Sequence, residues 1–140
     1  MASKAQLTGM RGVYLVAAEL SRLEFIVSPT SRGAAGADLL VTDGECRKAF
    51  SVQVKMNSRN GSFWLVSEKN LKAYSKTHIY VFVNVRRENG QDAYDYFIVP
   101  SAAVCKLAAK YIRSNSTFCS VQRADLLKYK ADWNLFGVET

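Results

Sequence analysis

Apolar and polar positions along the chain fall into two periods. From Thr8 to Leu23, the residues Val13, Val16, Leu20 and Leu23 recur at helical spacing, with Thr8 placed to cap, which predicts an amphipathic first helix. Short runs of strand character follow at Phe25 to Ser28, Asp38 to Val41 and Ala49 to Met56. The last two are joined by the turn formers Thr42-Asp43-Gly44-Glu45. A short helix is predicted from Ser67 to Tyr74. The stretch 77–85, THIYVFVNV, is β-branched and aromatic throughout, as a central strand covered on both faces should be. The next strand is YDYFIVP, 94–100; Ser101 then caps a helix to Arg113, and 123–136 gives a last helix.

The resulting order, α-β-β-β-α-β-β-α-α, predicts an α/β fold in which helices pack on the faces of a sheet. No internal repeat, low-complexity run or Pro/Gly-rich linker interrupts it, and Pro29 and Pro100 each fall where a strand should end. One domain covering residues 1–140 is expected, with 49% hydrophobic content sufficient for a single core.

One strand breaks the apolar rule. Gln53 and Lys55 share one face of 49–56, while Val52, Val54 and Met56 share the other. A connection centred near residues 45 and 46 places positions summing to 91 opposite each other, which sets Asp38 across from Gln53. Cross-strand neighbours have Cβ atoms roughly 5 Å apart. A carboxylate, a neutral carbonyl oxygen and an ammonium are then within reach of one small ligand. Such a set suits Mg²⁺, which takes one or two protein oxygens and fills its shell with water and phosphate. A metal there polarises a phosphoryl oxygen and acidifies water, with the lysine stabilising developing charge, so phosphodiester hydrolysis is the reaction it fits. The plainer alternative is that Asp38 bonds a local turn while Gln53 and Lys55 face solvent.

Charge then points to the partner. Nineteen Lys and Arg against 12 Asp and Glu give +7, a field that attracts polyanions. Asn57, Arg59 and Asn60, directly after the lysine strand, are candidates for phosphate contacts, as is Arg32 in Ser31-Arg32-Gly33. Phe63, Trp64 and Tyr74 can stack on bases, but Phe63 and Trp64 read better as core. His78, without a carboxylate or serine partner implied by spacing, reads as structural. Cys46, Cys105 and Cys119 are odd in number and scattered, so reduced thiols are expected and neither disulfides nor a zinc site. No secretory h-region or membrane-spanning stretch is seen, and a soluble, cytoplasmic protein is expected.

With Asp38, fourteen intervening residues and Gln53-Val54-Lys55 behind a helix, the chain resembles the PD-(D/E)xK nuclease superfamily, which includes Holliday junction resolvases and many restriction endonucleases. The resemblance covers roughly residues 8 to 100 and is carried by GADLLV and FSVQVK. It implies a restriction-endonuclease-like core, a mixed central sheet flanked by helices in the order α-β-β-β-α-β. It also implies a metal-dependent endonuclease acting on DNA with Mg²⁺ or Mn²⁺, in which Asp38 and Gln53 hold the metal and Lys55 is the catalytic lysine. Two departures accompany it. Glu is commoner than Gln at position 53, and the helix-borne Glu of some members falls where this chain has Gly12-Val13, leaving Glu19 as the nearest substitute. The competing expectation is a catalytically inactive module on the same fold, binding nucleic acid or protein. Homodimerisation would suit a duplex cutter, and a separate specificity subunit would suit so short a chain.

Overall fold

Ser3, not Thr8, starts the first helix. The Ser3 hydroxyl accepts the Gln6 backbone N–H at 3.1 Å, while the Gln6 side chain accepts the Ser3 N–H at 2.8 Å. This reciprocal cap satisfies two otherwise orphaned donors and begins α1, Lys4–Arg22, earlier than the apolar period alone predicts. Thr8 lies inside it, its hydroxyl donating to the Lys4 carbonyl. The computed structural model describes residues 1–31, 36–71, 75–113 and 116–138, and of 70, 109–113 and 116–118 the backbone.

Five strands form the central sheet: β1 Ile26–Pro29, β2 Leu39–Thr42, β3 Ala49–Met56, β5 His78–Glu88 and β6 Gln91–Pro100, in the order β1-β2-β3-β5-β6. β3 and β5 run parallel and the other pairs antiparallel, so the sheet is mixed. A second, three-stranded sheet is ordered β4-β8-β7, from β4 Phe63–Ser67, β7 Ala109–Arg113 and β8 Ser116–Gln122.

The strand β5 is buried over His78–Val85 because its two faces meet different layers. Ile79, Val81 and Val83 join Val16 and Leu20 of α1, Leu39, Val41, Val52, Val54, Ile98 and Phe136 in one cluster. Tyr80 and Phe82 join Trp64, Val66, Phe97, Val99, Val121, Leu126 and Val104 of α2, Ser101–Leu107, in the other. Each such buried side chain stabilises the fold by roughly 1.5–3 kcal/mol through removal of apolar surface from water. In the first cluster Phe136 meets Phe25 and Phe50 at centroid distances of 5.8 and 5.1 Å. Gly12 lets α1 approach: a Cβ there would stand 2.9 Å from the Met56 Cβ.

Three expectations are corrected. The segment 63–67, read as core without an assigned strand, is β4; alternation sends Trp64 and Val66 inward and leaves Phe63 and Leu65 exposed. The helix begun at Ser101 stops at Leu107, and Ser101 does not cap it; its hydroxyl donates to the Ser75 carbonyl at 3.0 Å. The β-branched and aromatic residues after it form β7 and β8. The helix predicted over 123–136 is two 3-10 segments, Arg123–Tyr129 and Trp133–Phe136. Between them the Ala131 N–H donates to the Tyr96 carbonyl at 2.7 Å, and Lys130 bridges to Phe97, so pairing with β6 replaces the intervening helical turn. The helix predicted over 67–74 begins as a 3-10 turn, Glu68–Leu71, and its end, with Tyr74, lies outside the described residues.

Candidate active site at the ends of β2 and β3

The hairpin between β2 and β3 has the register expected: Leu39 pairs with Val52, Leu40 with Ser51 and Val41 with Phe50, each pair summing to 91. Asp43 sets it, its Oδ1 accepting the N–H groups of Arg47 and Lys48 at 2.7 and 2.9 Å. These bonds hold its carboxyl below the usual range. At the open end the ladder departs from that register by one residue. The Asp38 N–H donates to the Val52 carbonyl at 2.8 Å, and Asp38 Oδ2 accepts the Val54 N–H at 2.8 Å. Asp38 and Leu39 thus both address Val52, an offset of the bulge kind that re-aims a side chain. The carboxylate takes the place of a backbone acceptor at the strand end.

Asp38 and Gln53 both line a cavity of about 590 Å³, with Met10, Val13 and Tyr14 of α1. Lys55 lines an adjoining cavity of about 610 Å³, with Asn57, Ser58, Arg59 and Asn60. Gln53 and Lys55 share the sheet face of their parallel neighbours Tyr80 and Phe82. Burial lowers the Lys55 pKa, and the Asp38 charge acts in the opposite direction. Lys55 is therefore partly desolvated and within the electrostatic reach of a carboxylate.

The flanking groups limit the chemistry. Among the described residues the buried Tyr80 hydroxyl has no hydrogen-bond partner, and burial pushes its pKa up to about 12, so it stays neutral. His78 lies 2.7 Å from the Ser51 hydroxyl through Nδ1, and burial holds its pKa below the usual value. That serine partner was missed because the parallel β3 to β5 register, Ser51 opposite His78, is not encoded by any local turn.

The remaining candidates divide. Glu19 is not brought to either cavity; its carboxylate pairs with Arg22 at 2.9 Å, one turn along α1. Arg32 lies outside the described residues. Arg59 is exposed at the second cavity, whereas Asn57 and Asn60 are used by the loop itself. Asn57 Nδ2 donates to the Phe63 carbonyl at 2.7 Å, and Asn60 Oδ1 accepts from Arg123 at 2.7 Å and from Asn84 at 2.9 Å.

Asn84 is a residue the sequence reading did not single out. It is the interior amide of an otherwise largely apolar strand, 2% exposed, and its Oδ1 accepts the Gly61 N–H at 3.2 Å. A lone amide in THIYVFVNV was the available signal. Asn84→Leu leaves Gly61 N–H and Asn60 Oδ1 short of a partner, and should cost about 1–3 kcal/mol of stability. Urea unfolding of the variant measures this; an unchanged midpoint would show the loop ties to be dispensable.

Asp38 is the one carboxylate among the described residues lining the first cavity, and Gln53 adds a neutral side-chain oxygen. Among the described residues no three His, Cys, Asp or Glu side chains gather, so a multi-ligand transition-metal site has no basis in these groups. One carboxylate and one neutral oxygen do fit Mg²⁺, which retains most of its shell as water and substrate phosphate.

A central mixed sheet flanked by helices is a restriction-endonuclease-like fold, here with Asp38 where β2 begins and Gln53 and Lys55 on β3. Comparison of structures gives the particular likeness: a Holliday junction resolvase, Hjc of Archaeoglobus fulgidus, from an archaeal hyperthermophile, at TM-score 0.52 and 14% identity, over 84% of this chain and 91% of that one. At that identity the likeness shows the fold. No protein-family profile and no curated protein matches the sequence. Among the described residues no helix is long and apolar enough to cross a membrane.

Proposed function

We propose that this protein is a metal-dependent nuclease hydrolysing DNA phosphodiester bonds. The observation that carries it is a pair of adjoining cavities, one lined by Asp38 and Gln53 and the other by a partly desolvated Lys55 on which the Asp38 charge acts, where β2 begins and β3 ends. Asp38 and Gln53 would hold Mg²⁺ or Mn²⁺, which supplies Lewis-acid polarisation of the phosphoryl group and a more acidic water. Lys55 donates hydrogen bonds to the oxygen on which negative charge develops, an interaction strengthened by its limited hydration. Asp38 serves a second purpose, fixing the Val54 backbone between the two polar side chains. Arg59 contacts phosphate along the strand and contributes affinity without reading bases.

Val13 favours a second reading. It lines the cavity beside Asp38 and Gln53, and Gly12-Val13 is where some PD-(D/E)xK nucleases carry a helix-borne glutamate, so the acidic set is reduced. On this reading the fold binds nucleic acid without cutting it. Purified protein incubated with plasmid and branched DNA, with Mg²⁺, Mn²⁺ or chelator, separates the two. Metal-dependent nicking is expected; salt-sensitive binding with no nicking in any metal supports the binding module instead, and neither activity overturns both. Sizing the active complex then distinguishes a homodimer from a monomer that works with a specificity subunit.

A further inference from the structure

Gly9 has no evident role in the fold. It lies within α1, where glycine costs about 0.8–1 kcal/mol relative to alanine, and it is exposed. Gly12, three residues on, has a packing reason in the Met56 contact, but a Cβ built at Gly9 meets nothing within 4 Å among the described residues. The space over it is open rather than crowded.

The cavities show what that space joins. Among the described residues lining them, Gly9 and Val54 are common to both: the one holding Asp38 and Gln53, and the one holding Lys55 and Arg59. Val54 belongs to β3 between the two polar side chains, and Gly9 belongs to the helix beside it. Each cavity lies within the roughly 300–1,000 Å³ range of ligand sites, so a chain longer than one small molecule is needed to engage both. The neighbouring Gln6, Met10, Ala5 and Ala2 add no acidic group to repel a polyanion.

We infer that Gly9 is a clearance residue: its missing side chain keeps open the passage by which one nucleic-acid strand runs from the Asp38 cavity to the Lys55 and Arg59 cavity. The occupant is a sugar-phosphate backbone, because Lys55 and Arg59 supply the cations at one end and the chain carries +7 overall. This rests on the nucleic-acid reading above and adds the path of the strand. A side chain at position 9 projects into that path, while it removes the conformational cost of glycine in a helix. Stability and binding should therefore move in opposite directions.

The test uses Gly9→Ala and Gly9→Leu, with Ala18→Leu at an exposed α1 position outside both cavities as control. Thermal unfolding and the Kd for labelled single-stranded and duplex oligonucleotides are measured with chelator present, so that binding is read apart from cleavage. Gly9→Ala and Gly9→Leu should each raise Tm by about 2–4 °C. Gly9→Leu should weaken oligonucleotide binding by about tenfold or more, Gly9→Ala less, and Ala18→Leu not at all. Wild-type binding by a folded Gly9→Leu variant overturns the clearance role and leaves the nuclease reading standing. Equal losses in Gly9→Leu and Ala18→Leu overturn it too, since the effect would not be local. No binding of either probe by the wild type overturns both.

Discussion

Asp38→Ala should lower metal-dependent cleavage by about 10³-fold or more, because it removes the one carboxylate of the proposed metal site. It also strips Val54 of its hydrogen-bond acceptor, so part of the loss could come from a displaced β3. Asp38→Asn resolves this: the amide oxygen can still accept the Val54 N–H that now bonds Oδ2 at 2.8 Å, while the charge is gone. Both variants should be nearly inactive, with Asp38→Asn the more stable. The reciprocal substitution is Gln53→Glu, which adds the acid that Val13 does not supply. It should lower the Mg²⁺ concentration required and preserve or raise the cleavage rate if metal binds beside Asp38. In a module that only binds phosphate the same change adds repulsion and weakens association. Full cleavage by Asp38→Asn, measured on plasmid substrate, would sink the proposed mechanism.

Lys55→Met is the second large effect, and its two readouts diverge. Burial disfavours the charged ammonium, whereas a methionine of similar length fills the same space without that cost. A gain in stability of about 1 kcal/mol is expected, alongside a fall of about 10²-fold in turnover as the donor to the developing charge is lost. The pH dependence has a definite sign. With the folded pKa depressed below 10.5, the folded chain releases its proton before the unfolded chain does. The wild type therefore gains stability as pH rises from the depressed value towards that of free lysine, and its deficit relative to Lys55→Met narrows across that interval. Denaturant unfolding at neutral and alkaline pH reads the gap directly; a variant less stable than wild type at neutral pH would show that the ammonium is better compensated than its burial implies.

The hairpin that carries the candidate residues was legible because its register is local. A turn of known centre fixed every pair of β2 with β3, and the alternation of 49–56 put Gln53 and Lys55 together. The offset at Asp38 was not legible, since it depends on a side chain taking over a backbone bond. The Ser51 to His78 contact and the loop ties from Asn84 and Arg123 were hidden for a related reason: each joins residues brought together by a crossover or by the second sheet. Helical spacing in 101–113 and 123–136 misled because a few apolar residues at three- and four-residue intervals also fit a β hairpin or a chain drawn onto the edge of β6. Glu19, the nearest substitute for a helix-borne acid, pairs with Arg22 along its own helix.

The contact of Phe136 with Phe25 and Phe50 has a bearing on how the chain reaches this state. One of the last residues of the described chain completes the cluster that the first helix and the first strands begin. Pairings of such wide sequence separation slow folding, because the ends must meet before the contacts reward the lost chain entropy. During synthesis, the apolar face of α1 and the β2-β3 hairpin emerge long before their aromatic cover. The nascent chain must therefore hold an unfinished core until the segment bearing Phe136 has left the ribosome.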